Sequence, residues 1–117
     1  MSDLTICYYT SNRVQEPFGR RVREQLLTAG IDHHIVSVSQ KPLDFGENIC
    51  VGDIGHSHLN IYKQMLVGAK TAQTKYIAMA EDDTLYVPEH LAYRPADDEF
   101  AFDMCRWSMY TWSDPPI

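Results

Sequence analysis

The sequence predicts an α/β fold with a mainly parallel central sheet, formed as a single domain over residues 1–117. Short apolar runs that are typical of buried strands alternate with segments whose apolar residues recur at helical spacing. The order strand, helix, strand, helix, strand is typical of parallel sheets with right-handed crossovers. A chain of 117 residues is long enough for one such domain and too short for two.

The first third of the chain predicts a β-α-β unit. Residues 4–9 form a short apolar run that indicates a buried strand, and a polar loop follows it. Pro17 suits the first turn of a helix, and Gly30 suits its C-terminal end. Residues 35–38 are rich in β-branched side chains and predict the second strand. Four apolar residues share one face of the intervening helix: Phe18, Val22, Leu26 and Ala29.

The middle of the chain predicts a long loop and a second helix. Residues 39–55 contain Pro42 and several glycines and follow no period, and loops of this length inside a compact domain are often functional. Ser57 suits the N-cap of the helix that follows. We expect one apolar face of this helix to pack on the sheet: Leu59, Tyr62, Leu66, Ala69 and Gln73.

The third predicted strand ends in an acidic triplet. Residues 75–80 are apolar apart from the first, and they run directly into Glu81, Asp82 and Asp83. Beyond the triplet we expect loops, a short helical turn near Glu89, and a long strand over residues 100–110, where apolar side chains alternate.

Composition excludes several classes of protein. A net charge of −6 argues against a general nucleic-acid binder, which would present a basic surface. Three scattered cysteines, Cys7, Cys50 and Cys105, indicate neither a zinc site nor a disulfide framework, and we expect buried, reduced thiols. The N-terminus has no secretory pattern, and no segment is apolar for the roughly 20 residues of a transmembrane helix. We therefore expect a cytoplasmic protein.

Candidate ligand-binding residues follow two of the predicted strands. Ligands of open α/β sheets bind beyond the carboxyl ends of the strands, where Thr10, Ser11 and Arg13 follow the first strand and the acidic triplet follows the third. Adjacent carboxylates repel one another unless a cation compensates them. Oxygen ligands suit Mg²⁺ or Mn²⁺, which proteins often hold through one or two carboxylates together with substrate phosphates. The triplet is therefore a candidate metal and diphosphate site.

The stretch before and through the triplet resembles the "DXD" region of glycosyltransferases with the GT-A fold, family 2-like. Residues 55–86 are similar to that unit nearly end to end, and they read GHSHLNIYKQMLVGAKTAQTKYIAMAEDDTLY. The N-terminal LTICYYTSNR resembles the family's first strand and nucleoside-contacting loop, so that the resemblance covers about residues 4–90. It implies a Rossmann-like, three-layer α/β/α domain in minimal or truncated form, equivalent to the family's N-terminal, donor-binding half.

The resemblance also implies an activity and residue roles. The activity is metal-dependent transfer of a sugar from a UDP- or GDP-sugar to an acceptor, with Mn²⁺ or Mg²⁺ as cofactor. Asp83 would bind the metal, Asp82 would face the ribose or the metal, and Glu81 would open the motif. Five residues would lie near the donor's base, ribose or phosphates: Thr10, Ser11, Arg13, Ser57 and His58.

Two departures from the family pattern stand out. The family often has an acidic residue just after the second strand, where this chain has Ser39 and Gln40. The family's catalytic base and acceptor site lie in a second half that this sequence does not reach. The expectation is a fragment, or a minimal domain whose acceptor side comes from another chain.

Further candidates come from the last third of the chain. His90 is a possible additional metal ligand, and Asp98 and Asp103 are possible catalytic bases. Trp107 and Trp112 could stack on an acceptor sugar or form packing contacts. An exposed terminal strand carrying tryptophans would favour pairing with a second copy of the chain.

Other functions are weaker on motif grounds. The chain lacks the GxxxxGK[ST] of P-loop NTPases and the GxGxxG of dinucleotide-binding enzymes, and no acidic pair follows its first strand as in receiver domains. The remaining alternative is a non-catalytic nucleotide- or sugar-binding module, or a degenerate transferase that acts as an assembly partner.

Overall fold

The structure, a computed structural model, describes residues 2–108. Four strands and three helices alternate along most of this part of the chain. The strands are β1 (Leu4–Thr10), β2 (His34–Ser39), β3 (Glu47–Cys50) and β4 (Tyr76–Glu81). The helices are α1 (Phe18–Ala29), α2 (His58–Thr71) and α3 (Pro88–Ala92). In the described residues, no helix is long and apolar enough to cross a membrane.

All four strands pair in parallel in one sheet, in the order β3-β2-β1-β4. β1 therefore lies inside the sheet, where it is buried along almost its whole length. Its register aligns Tyr9 with Val38 of β2 and with Glu81 of β4. The carboxyl ends of β1, β2 and β4 consequently meet at one edge of the sheet. The α/β class and the parallel sheet predicted from the sequence are confirmed.

The main core lies between the sheet and helices α1 and α3. Leu26 of α1 and Leu91 of α3 pack with Ile6 and Tyr8 of β1 in one buried cluster, which Phe45 extends. Tyr8 and Phe45 meet edge to face with ring centroids 4.9 Å apart, a favourable aromatic geometry. The opposite face of β1 and β2 carries α2, whose Gly68 lies against Cys7 and Val38. Helices thus flank the sheet on both faces.

Gly30 follows the last residue of α1 as predicted, but packing against β1 and not backbone conformation explains the glycine. Its φ of −105° lies outside the left-handed region that usually selects glycine after a helix. A Cβ atom here would lie 2.4 Å from Cδ1 of Ile6. The absence of a side chain therefore lets the end of α1 approach β1 closely.

β3 lies inside the segment that the sequence predicted to be a loop, residues 39–55, so that prediction was wrong for Glu47–Cys50. β3 pairs with the edge of β2, aligning Asn48 with Ser37. The Asn48 amide nitrogen donates to the hydroxyl oxygens of Ser37 and Ser39, each at 2.9 Å. These long-range contacts hold a short strand whose local sequence has no strand pattern. The acidic triplet consequently lies at the end of the fourth strand, whose last residue is Glu81.

The prediction of which α2 residues face the sheet was also wrong. Leu59, Tyr62 and Leu66 are 63%, 66% and 54% exposed. Gln64 and Gly68 are buried against the sheet instead. Gly68 permits close packing, and Gln64 donates to the buried carbonyl oxygens of Thr10 and Val38. The three exposed side chains form an outward apolar stripe on α2.

The end of the described chain differs from the prediction as well. The short helix expected near Glu89 is confirmed as α3. Residues 100–108 of the expected long strand have no regular secondary structure, and Phe100, Phe102, Met104 and Trp107 are all more than 80% exposed. Without a paired strand or a covering element, their alternation produces no buried face. Residues 109–110 of that prediction, and Trp112, lie outside the described residues.

Candidate functional site

Thr10 and Asp82 meet at the carboxyl edge of the sheet. Thr10 ends β1, and Asp82 directly follows β4, so the parallel register brings the two side chains together. The Thr10 hydroxyl donates to Oδ2 of Asp82 at 2.7 Å and also accepts from the backbone N–H of Asn12 at 3.0 Å. Thr10 thus joins the loop after β1 to residues 81–86, which begin with the last residue of β4 and which we call the acidic turn.

A cleft of about 160 Å³ opens beside this contact. Six of the predicted site residues line it: Thr10, Ser11, Ser57, Glu81, Asp82 and Asp83. Seven other lining residues were not predicted: Tyr9, Gln40, Gly55, His56, Asn60, Ile61 and Gln64. The cleft is smaller than the roughly 300 Å³ of a typical small-molecule site, so a larger ligand would extend beyond it.

Ser57 reaches the cleft because it begins α2. Its hydroxyl accepts from the backbone N–H of Asn60 at 3.2 Å, as predicted for an N-cap. His56, just before the cap, also lines the cleft.

Arg13 and His58 lie outside the lining of this cleft. The Arg13 guanidinium is 3.9 Å from Asp53 and 3.5 Å from the carbonyl oxygen of Ser11, both on the surface. His58 is the first residue of α2 and is exposed. Of the two histidines that precede and open α2, the structure brings His56 to the cleft.

The three carboxylates of the acidic triplet have different hydrogen-bond partners. Asp82 faces Thr10, whereas Glu81 accepts from the Tyr9 hydroxyl at 3.2 Å. The Thr84 hydroxyl lies 3.3 Å from oxygens of both Glu81 and Asp83. Across residues 2–108, no group of three His, Cys, Asp or Glu side chains is arranged to hold a metal ion. A cation here would take one or two of these carboxylates and complete its shell with ligand oxygens or water.

Asp82 is a partly buried carboxylate with two further carboxylates beside it. Burial raises the pKa of its carboxyl group most strongly, the Thr10 hydrogen bond opposes this, and the charges of Asp83 and Glu81 raise the pKa further. Burial and the neighbouring Glu81 also raise the pKa of the Tyr9 hydroxyl. A divalent cation would relieve this accumulation of negative charge, and the available ligands are oxygens, which suit Mg²⁺ or Mn²⁺.

Buried amides form the floor of the cleft. Gln64 donates from Nε2 to the carbonyl oxygens of Thr10 at 2.8 Å and Val38 at 3.0 Å. Its Oε1 accepts from Nε2 of Gln40 at 3.2 Å, and that nitrogen also donates to the carbonyl oxygen of Gly55 at 2.8 Å. These bonds join the ends of β1 and β2 to α2 and to the loop before it.

Asn12 extends this network into the loop after β1. Its Oδ1 accepts from the backbone N–H groups of Gln40 at 2.8 Å and Lys41 at 2.9 Å. Its φ of 61° is in the left-handed region, which asparagine tolerates better than most residues. We call Asn12, Gln40 and Gln64 the amide cluster. The only hint of it in the sequence is a glutamine among the apolar residues of α2.

His90 and Asp103 contact each other instead of the cleft. Nδ1 of His90 lies 3.3 Å from Oδ2 of Asp103, and the His90 ring packs 5.1 Å from the ring of Tyr86. Asp103 also accepts from the backbone N–H of Cys105 at 2.8 Å, which, with His90, lowers its pKa. Asp98 is exposed with a φ of 62° and is not among the residues that line the cleft.

Comparison with protein-family models, curated proteins and solved structures finds no match to this chain. The chemistry of the cleft must therefore be argued from its own residues. Its groups are hydroxyls, amides, one imidazole and three carboxylates at the carboxyl edge of a parallel sheet. Such a set can bind a hard cation together with an anionic, oxygen-rich ligand.

Proposed function

We propose that this chain binds a nucleoside-diphosphate sugar with Mn²⁺ or Mg²⁺ at the cleft and serves a metal-dependent glycosyl transfer, on the GT-A pattern its sequence resembles. The single observation that carries the proposal is the contact of Thr10 with Asp82. It places a half-buried carboxylate, which has no basic partner among residues 2–108, at the edge of the sheet where α/β proteins bind ligands.

The residues of the cleft have distinct roles in this proposal. Thr10 holds Oδ2 of Asp82, which leaves the other carboxylate oxygen available to a cation. Asp83 is exposed and adds a second carboxylate, while Ser11, Ser57 and Asn60 offer polar groups to phosphate or ribose oxygens. When bound, the cation would stabilise the charge that develops on the departing diphosphate.

The size of the cleft indicates how a donor would lie. About 160 Å³ accommodates part of a diphosphate and its cation, so the base and the sugar would occupy the open margins. The side-chain nitrogen of Gln40 already donates to the Gly55 carbonyl oxygen and to Oε1 of Gln64. The Gln40 Oε1 accepts from the backbone N–H of Ile54 at 3.3 Å. Gln40 therefore shapes the cleft and has little capacity left to bind a base.

A thermal-shift series tests the proposal. The wild-type protein should be stabilised by UDP or GDP together with Mn²⁺, and much less by either alone, because metal and diphosphate bind as one unit. Asp83→Ala should lose this stabilisation and any slow hydrolysis of a UDP-sugar. Asp44→Ala, which removes an exposed carboxylate outside the cleft, is the matched control. Nucleotide binding that needs no metal, or equal hydrolysis by Asp83→Ala, would contradict the assigned roles.

A second candidate is a non-catalytic binding module that associates with another copy of the chain. Two observations favour it: the candidate bases Asp98 and Asp103 lie away from the cleft, and the apolar stripe on α2 is exposed. This candidate predicts donor binding without turnover and a dimeric mass in solution that Leu66→Lys reduces to that of the monomer. A monomeric wild-type mass would eliminate the association.

A further inference from the structure

The main chain of Tyr86 is held by a side chain of α1. The Gln25 side-chain nitrogen donates to the carbonyl oxygen of Tyr86. The Gln25 Oε1 accepts from the backbone N–H of Tyr86 at 3.0 Å. A carboxamide can make both bonds at once because it carries a donor and an acceptor side by side. Gln25 thus pairs with the backbone N–H and C=O of Tyr86, as a neighbouring strand would.

Tyr86 in turn closes the acidic turn. Its hydroxyl accepts from the backbone N–H of Glu81 at 2.9 Å, so that Tyr86 bridges to the first residue of the turn. The Tyr86 ring also packs partly buried against the main core. Both ends of residues 81–86, which carry all three carboxylates of the triplet, are therefore fixed.

Buried residues of α1 flank Gln25. Gln25 lies between Val22 and Leu26 in the sequence, and both of those side chains are buried in the core at 1% exposure. Gln25 itself is half-buried, so its bonds to Tyr86 are partly shielded from water. We call the pair of Gln25 and Tyr86 the turn clamp.

We propose that Gln25 is a positioning residue for the acidic turn and acts on the carboxylates of Asp82 and Asp83 through Tyr86. The inference rests on the proposed function, because only the proposed function assigns a bound cation to the acidic turn. A turn fixed before binding loses less conformational entropy when the cation arrives. Residues that hydrogen-bond metal ligands directly contribute roughly tenfold to a hundredfold in metal affinity, and we expect the lower end of this range for Gln25, which acts through Tyr86.

Substitutions of Gln25 test the clamp in a graded series. Gln25→Met preserves length and removes both bonds, while Gln25→Glu keeps the acceptor and, when ionised, loses the donor. Gln73→Met, at an exposed position after α2, is the matched control. Mn²⁺ affinity is measured on the folded proteins at 25 °C by electron paramagnetic resonance of the free ion. Amide hydrogen exchange of residues 82–85 is measured without metal.

We expect Gln25→Met to weaken Mn²⁺ binding by about tenfold or more and to accelerate exchange in the turn, with Gln25→Glu intermediate and Gln73→Met unchanged. A purely structural role would lower the midpoint of thermal unfolding and leave the affinity of the folded protein as in the wild type. Unchanged Mn²⁺ affinity would overturn the inference, whatever the exchange rates in the turn. If Gln25→Met does not fold, the same two measurements on Gln25→Glu decide.

The outcomes separate this inference from the proposed function. If the wild-type protein takes up no Mn²⁺, the proposed function fails, while the exchange experiment still shows whether Gln25 holds the turn. If the wild type binds Mn²⁺ and Gln25→Met binds it equally well, only the positioning role fails.

Discussion

Thr10 and Asp82, which are 72 positions apart in the sequence, are joined by a hydrogen bond of 2.7 Å from the Thr10 hydroxyl to the Asp82 carboxylate. One hydroxyl offsets only part of the cost of burying this charge, because burial and two neighbouring carboxylates still raise the pKa of Asp82. A site with such a residual cost is typical of function, where a ligand supplies the missing compensation.

Replacing Asp82 with Asn should therefore stabilise the metal-free protein at neutral pH. The folded pKa of Asp82 is raised above the ordinary 3.8, so its contribution to stability is complete below that pH. This contribution is lost as pH rises through the folded value, when the buried carboxyl must ionise. The melting temperature of Asp82→Asn should equal that of the wild type in strong acid and exceed it by a few degrees at pH 7.

Added Mn²⁺ and UDP should reverse the order of those two proteins at pH 7, because only the wild type has the ionised carboxylate of Asp82 beside that of Asp83. Asp97→Asn, at an exposed carboxylate near Lys75, is the control for a general change in charge. A melting-temperature difference that is constant over the whole pH range would contradict the assigned titration of Asp82.

The amide cluster predicts a large effect of Gln64→Leu on stability. The substitution leaves the carbonyl oxygens of Thr10 and Val38 without their side-chain donor, and it removes an acceptor from Gln40. Buried polar groups that lose their partners should lower the free energy of unfolding by about 2–3 kcal/mol in urea denaturation. Gln73→Leu should change it by less than about 0.5 kcal/mol, since Gln73 is exposed. Equal effects would show that the cluster contributes little.

The sequence predicted what local patterns specify. α1 has a regular apolar period, β1 is a continuous apolar run, and the N-cap Ser57 has a local hydrogen-bonding role, so their positions followed from neighbouring residues. Thr10 and Ser11 could be placed at the cleft because the ends of parallel strands meet at one edge of the sheet, whereas Ser57 was named from the family resemblance.

What the sequence did not predict depends on partners distant along the chain. β3 exists through its pairing with β2, and α2 turns Gln64 inward because strand carbonyl groups need donors there. Apolar Leu59 and Leu66 therefore face outward, against the usual rule for amphipathic helices. The turn clamp was missed for the same reason, since Gln25 and Tyr86 lie 61 positions apart.

The three cysteines should differ in reactivity. Cys7 is buried between β1 and α2, and burial raises the pKa of its thiol to about 11, whereas Cys50 and Cys105 are exposed. At pH 8 roughly a thousandth of Cys7 would be thiolate, the reactive form, even where reagent could reach it. Iodoacetamide should therefore label two cysteines in the native protein and three in urea, as counted by mass spectrometry. This also corrects the expectation that all three thiols are buried.

Two glycines in the segment that contains β3 should tolerate alanine very differently. Gly46 has a φ of 57°, and a Cβ there would lie 2.4 Å from the carbonyl oxygen of Ile35. Gly52 has a φ of 82° but no atom within 4 Å of the same position. Gly52→Ala should lower the free energy of unfolding by about 1 kcal/mol, the cost of holding alanine in a left-handed backbone conformation. Gly46→Ala adds a steric clash with β2 and should lower the free energy of unfolding by about 3 kcal/mol or more. Urea denaturation of the two variants measures this difference directly. Equal losses would mean that the chain before β3 does not pass Ile35 so closely.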